Sequence, residues 1–100
     1  MQSAEFSDLL TGVQGLLAMI KRRRALFKAD AAANGYPAAT DEELVYWTAL
    51  YYNPGENDGL AQLIKYKSKR KLSDWIKRGE YPHAQKVLRN YRMLKAMNVF

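Results

Sequence analysis

A glycosidic bond breaks when a carboxylic acid delivers its proton to the leaving oxygen. Such an acid holds its proton best in apolar surroundings, because burial disfavours the charged form. Glu5 has Phe6, Leu9 and Leu10 as sequence neighbours, which is compatible with a pocket of that kind. It also fits the first turn of a helix, where negative charge suits the macrodipole. Three further patches follow in order: Thr11-Gly12-Val13-Gln14-Gly15-Leu16-Leu17, then Tyr51-Tyr52-Asn53-Pro54-Gly55, then Tyr81 with Lys86-Val87-Leu88 and Tyr91. One acid among tyrosines and an amide, in a basic chain, is a set able to hold a saccharide and cleave it.

The elements that must position these residues read as helices. Leu9, Leu10, Val13, Leu16, Leu17, Ile20, Leu26 and Phe27 recur at helical spacing over residues 3–28. Gly12 and Gly15 interrupt that face at about 1 kcal/mol each relative to Ala, so a break or a close backbone approach is expected there. Residues 29–39 read as a loop with a loose helical turn, and Asn34-Gly35-Tyr36-Pro37 is a turn signal. Thr40-Asp41-Glu42-Glu43 fits a capping box that opens a buried helix carrying Leu44, Val45, Trp47, Leu50 and Tyr51. Pro54 excludes helical geometry at Asn53 and ends it. Residues 56–59 read as loop, 60–66 and 72–77 as short helices, and Pro82 opens the last helix from its first turn. No alternating run is long enough for a strand. The expectation is an all-α chain forming one domain over residues 1–100, without repeats.

Composition bounds the chemistry. Hydrophobic residues make up 48% of the 100 residues and aromatics 12%, enough for one small core. There is no cysteine, which excludes disulfides, thiolate zinc sites and cysteine nucleophiles. A net charge of +6 favours anionic partners: nucleic acid, acidic glycans, cell-wall polymers or anionic lipid. The apolar stretch of residues 9–20 precedes the basic run Lys21-Arg22-Arg23-Arg24, the reverse of a secretory signal, and is shorter than the roughly 20 residues of a membrane span. A cell-wall role would need holin release, packaging in a phage particle or removal from a longer precursor. The compartment is otherwise open.

Other features have plainer readings. Lys21 to Arg24 with Lys28 fit the exposed C-terminal end of an amphipathic helix, as well as a localisation or phosphate-binding cluster. His83 is the only histidine and reads as a surface residue in the first turn of the last helix, so neither a metal site nor a Ser-His-Asp set is implied. Among the seven tyrosines and two tryptophans, Trp47 and Tyr91 are expected in the core and Tyr52 and Tyr81 in a cleft.

The ordered patches resemble the soluble lytic transglycosylase branch of the lysozyme-like family. There a glutamate precedes a Ser/Thr-x-x-Gly-Ala-x-Gly-Leu-Met-Gln helix, an Ala-Tyr-Asn-Ala-Gly turn and a late Tyr-Val-x-x-Val-Leu-x-x-Tyr. The resemblance covers residues 5–91. The chain differs from that pattern at Ala18, where the family has glutamine, at Pro54, where it has a small residue, and in a shorter Glu5–Gly12 spacing. The resemblance implies a small lysozyme-like domain that binds and cleaves peptidoglycan glycan strands. Glu5 would be the single catalytic acid and later the base. Thr11, Gly12 and Gly15 would form the helix passing under the sugar, Tyr52 and Asn53 would line the cleft, and Tyr81 would approach from the last helix. The substrate's own hydroxyl attacks in such enzymes, leaving an anhydro-sugar, and no metal or cofactor is implied. Two other readings stand beside it. One is a small nucleic-acid-binding protein using residues 65–78, with Lys65, Lys67, Lys69, Arg70, Lys71, Lys77 and Arg78. The other is an inactive structural or interaction protein that keeps the fold.

Overall fold

The computed structural model describes residues 20–97. These form helix α1 (residues 20–33), α2 (Asp41–Leu50), a wide π-type turn (Tyr51–Gly55), α3 (Glu56–Tyr66), α4 (Leu72–Arg78) and α5 (Pro82–Ala96). The fold is all-α, with no strand among the described residues. Expectations for residues 3–19, including Glu5, Thr11, Gly12, Gly15 and Ala18, lie outside the described residues.

Local chemistry explains most of the helix ends. α1 stops in a Schellman motif: Gly35 takes φ 82°, Tyr36 N donates to Ala31 O at 3.0 Å and Gly35 N to Ala32 O at 3.2 Å. Tyr36 and Ala31, the residues flanking that motif, are both buried in the core. The helix therefore persists through residues 29–33, where the sequence predicts a loop with a loose helical turn. Thr40 caps α2 in a reciprocal box, with Glu43 N donating to Thr40 Oγ1 at 3.2 Å and Thr40 N to Glu43 Oε1 at 2.9 Å. Asn53 is extended (φ −150°, ψ 110°), as Pro54 requires of its predecessor. Gly55, at φ 140°, then admits the chain into α3.

Residues 56–59 are the first turn of α3 and not the loop expected of them. Glu56 and Asp58 suit the positive end of the helix. Gly59 is there because Tyr51 lies against it: a Cβ at that position would collide with the Tyr51 ring and sit 3.1 Å from Leu50 Cδ2. α4 begins with Lys71 N donating to Asp74 Oδ2 at 2.8 Å and ends at Gly79 (φ 64°), whose N–H donates to Trp75 O.

α2 is the central element. Tyr46, Trp47, Ala49 and Leu50 on it are all buried, α5 packs against it with Ala84 and Leu88 buried, and α4 packs against it with Leu72 and Trp75. Trp47 is in the core as expected. Tyr91 is only half-buried, packed against the edge of the core. The buried polar tips are matched: Tyr36 Oη donates to Leu63 O (2.9 Å), Tyr46 Oη to Trp75 O (3.1 Å) and Trp47 Nε1 to Leu72 O (3.2 Å).

Two outcomes follow from this packing. Alanine is the better helix former by about 1 kcal/mol, but overpacking costs about 1–3 kcal/mol. Gly59→Ala should therefore lower the denaturation midpoint at unchanged slope, and a rise would mean that the Tyr51 ring moves freely. Burial pushes the Tyr46 hydroxyl up to about 12, and raises those of Tyr36 and Tyr51 as well. An unfolded tyrosine ionises at about pH 10, so the unfolded chain releases protons first. The tyrosines' contribution to stability should be constant from neutral pH to about pH 10 and fall as pH rises through Tyr46's folded value, as checked by fluorescence melts over that alkaline range.

Candidate functional site

The wide turn between α2 and α3 carries the most exposed chemistry. Tyr51, at its start, is fully buried, and its hydroxyl donates to Asp30 Oδ2 of α1 at 2.7 Å. Burial first, then that hydrogen bond and the Asp30 charge, hold the phenol protonated far above its ordinary range. The anchored ring leaves the next three residues, Tyr52, Asn53 and Pro54, outside.

Asn53 and Pro54 form one wall of a groove of about 550 Å³. Its other residues are Asp58 from the first turn of α3 and Tyr81, Pro82 and His83 from the start of α5. The Tyr81 pKa is raised, by burial first and then by the negative charges of Glu80 and Asp58, so its hydroxyl remains a donor at neutral pH. The groove thus offers an amide, a phenol, an imidazole and a carboxylate within one concavity. Among the described residues Asp58 has neither an ion pair nor a hydrogen bond through its carboxylate.

His83 also borders a second groove, of about 460 Å³, between α1, α2 and α5. Tyr52 stands at that junction, its ring 6.3 Å from the His83 ring and tilted by 35°. The walls beyond are apolar: Ile20, Leu44, Val45, Ala49 and Val87, with Arg23 and Arg24 on the α1 side. The structure therefore brings Asn53 and Tyr81 together and sets Tyr52 on the adjoining groove, across His83. Glu5, Thr11, Gly12 and Gly15 are outside the described residues. His83 is exposed in the first turn of α5, as the sequence suggests. The sequence points to no site role for Asp58 or His83, and to one for Arg23 and Arg24 only as part of the Lys21–Arg24 basic cluster. For Asp58 the available signal was its place one helical turn after a Pro-Gly break.

The basic stretch of residues 65–78 is less open than its sequence implies. Arg70 lies 3.8 Å over the Tyr66 ring and 5.2 Å from that of Trp75, and its side chain is 11% exposed. It pairs with Glu80 Oε1 at 3.3 Å, while Arg78 meets Glu80 Oε2 at 3.4 Å. Lys67, Lys69 and Lys77 remain in solvent. No group of three or more His, Cys, Asp or Glu among the described residues could hold a metal ion, and no described helix is long and apolar enough to cross a membrane. Comparison of the chain with known protein families, curated proteins and solved structures gives no match.

Arg70→Gln should cost about 2 kcal/mol, chiefly through lost stacking on Tyr66 and lost packing of its stem, since a rim ion pair contributes little. Lys69→Gln should stay within about 0.5 kcal/mol. Thermal melts of the two variants check this, and equal midpoints would place Arg70 among the solvated cations.

Proposed function

We propose that this chain is a peptidoglycan-binding domain of lytic transglycosylase type, in which Glu5 supplies the acid and Asn53, Tyr81 and Tyr52 orient the sugar. The observation that carries the reading is the meeting of Asn53 and Tyr81 in one groove. They come from separate patches of the motif set, and the fold gives them a common wall. An amide and a phenol there can bond to saccharide hydroxyls and N-acetyl groups, and the exposed Tyr52 ring on the adjoining groove, across His83, can stack on a neighbouring sugar face. The groove lies in the range of about 300–1,000 Å³ usual for small-ligand sites. The net charge of +6 draws the domain toward an anionic wall polymer. Thr11, Gly12 and Gly15 are the remaining sugar-binding residues of the reading, and the glycosidic oxygen would take its proton from Glu5 as the substrate's own hydroxyl attacks the anomeric carbon. The pairing of Arg70 and Arg78 with Glu80 weakens the alternative of a nucleic-acid surface on residues 65–78.

Purified peptidoglycan incubated with the full chain should release anhydro-muropeptides in a mass spectrum, and Glu5→Gln should abolish them with the fold intact. Asn53→Ala should weaken binding of a muropeptide about tenfold, the loss of one or two polar contacts, at an unchanged melting temperature. Absence of muropeptide binding, together with salt-sensitive duplex binding lost on neutralising Lys67, Lys69 and Lys77, would replace this reading with the nucleic-acid one.

A further inference from the structure

We propose that the apolar groove between α1, α2 and α5 binds a fatty carboxylate, with a single alkyl chain lying between the helices and the carboxylate held at Arg23 and Arg24. Asn53, Asp58 and Tyr81 do not line this groove, so the assignment stands apart from the glycan reading.

Helical register builds the site. Ile20, Arg23 and Arg24 stand three and four residues apart, so one face of α1 carries an aliphatic side chain and then two arginines. On α2, Leu44, Val45 and Ala49 share a face, and Tyr52 extends it by a further turn. Charge selects the head of the ligand. Among the described residues no Asp or Glu lines the groove, and neither Arg23 nor Arg24 has an ion-pair partner, although Arg70, Arg78 and Arg92 each do. The acids just before Leu44 are committed elsewhere, Glu42 to Arg92 and Glu43 to the Thr40 cap. The positive charge of that wall is left for a ligand to balance. A carboxylate has one oxygen for each guanidinium group, and such charge-assisted hydrogen bonds are the strong ones.

Size selects the tail. From Leu44 to Tyr52 the α2 wall runs about 12 Å, at about 1.5 Å per residue. Spread over that length, a groove of about 460 Å³ is roughly 7 Å across. That is narrower than an α-helix at about 10 Å, and wide enough for one alkyl chain making carbon contacts at about 4 Å. A lipid chain fills half of the roughly 30 Å hydrocarbon core of a bilayer, about 15 Å, so the groove covers most of one chain. Aliphatic walls with cations on one side therefore fit a ligand that is apolar along its length and anionic at one end.

The full chain is titrated calorimetrically, below micelle-forming concentrations, with fatty carboxylates from hexanoate to decanoate, with decyl phosphate and with decyltrimethylammonium. Decanoate should bind one equivalent per chain, about tenfold more tightly than the cation of the same chain length. Each added methylene should tighten binding about fourfold until the groove is full. Arg24→Gln, at an exposed position, should weaken decanoate binding about tenfold, the loss of one charge-assisted hydrogen bond. Lys69→Gln, the same charge change at a distant surface, should leave it as it is. Val87→Phe should end the rise with chain length at a shorter carboxylate; if that variant fails to fold, the chain series and Arg24→Gln decide. Equal binding of carboxylate and cation, or an affinity indifferent to chain length, overturns the inference. So does a loss that Lys69→Gln shares with Arg24→Gln, which would assign it to overall charge. Tighter binding of decyl phosphate than of decanoate overturns the carboxylate head. Binding to vesicles of anionic lipid without binding of any single-chain ligand would make this face a membrane contact and overturn the inference. A dimer that persists in saturating decanoate would put a second copy in the groove and overturn it too. Muropeptide binding, measured separately, is untouched by any of these results.

Discussion

Trp75 holds together segments that have little reason to stay folded alone. α4 has seven residues, far below the length at which an isolated helix persists, so its order comes from tertiary contact. The Trp75 ring supplies that contact. Its centroid is 4.7 Å from that of Trp47, 6.0 Å from Tyr66 and 6.3 Å from Tyr36, all edge-on. Its Nε1 donates to Gln62 Oε1 at 3.1 Å, and its carbonyl receives the Tyr46 hydroxyl. The aromatic contacts then continue outward. Phe27 stacks on Trp47 at 5.3 Å and meets Tyr51 edge-on at 5.7 Å. Tyr51 is the residue from which the Asn53 turn departs. The position of the candidate site is thus referred through four rings back to α4, and the whole chain of contacts is buried.

That arrangement also sorts the tyrosines. A phenol in a core has to donate a hydrogen bond to something, and Tyr36, Tyr46 and Tyr51 donate to Leu63 O, Trp75 O and Asp30 Oδ2. Two of the three acceptors are main-chain carbonyls of a helix, so the bonds tie the segment after α1 to α3 and α2 to α4 as well as satisfying a polar atom. These three are structural cross-links. Tyr52 and Tyr81 differ in kind: Tyr52 is 45% exposed, and Tyr81 packs its ring on the core while its edge lines the groove. An abundance of tyrosine is therefore weak support for glycan binding by itself, and the weight falls on the two that reach a groove.

The signals legible in the sequence were those confined to a few neighbouring residues. Thr40 with Glu43, Asn34 with Gly35, Pro54 acting on Asn53, and Pro82 at the start of α5 all behave as their chemistry demands. What stayed hidden depended on distant parts of the chain. Gly59 looks like a loop residue until the Tyr51 ring is seen occupying the space of its side chain. Residues 30–33, Asp-Ala-Ala-Ala, have no apolar period, yet Ala31 is buried and helical because Tyr36 folds back beside it. Arg70 reads as one of a solvated run, and only the turn after α4 delivers Glu80 to it. Asn53, Tyr52 and Tyr81 could be chosen by type. That Asp58 and His83 would stand beside them could not, because this requires α3 and α5 to begin at the same place. The α1–α2–α5 groove has no sequence signature, being a space left between three helices.

The site is built on helix ends, and this bears on what it can hold. Asp58 is in the first turn of α3, Tyr81 is the N-cap of α5 and His83 lies in α5's first turn, so two positive helix ends face one groove. α3 carries Glu56 and Asp58 against its own dipole, whereas the first turn of α5 contains no acid. Its first intrahelical bond is made by Gln85 N to Tyr81 O, so the amides of His83 and Ala84 precede the ladder. A dianionic phosphate would gain from those amides but would meet the Asp58 carboxylate in the same concavity and Glu80 close by. A neutral sugar hydroxyl has no such conflict: it can accept from an amide or from the Tyr81 phenol and donate to Asp58. One open helix end beside one unpaired carboxylate disfavours a dianion and suits a group that donates and accepts at once, which is the chemistry that the proposed saccharide reading draws on.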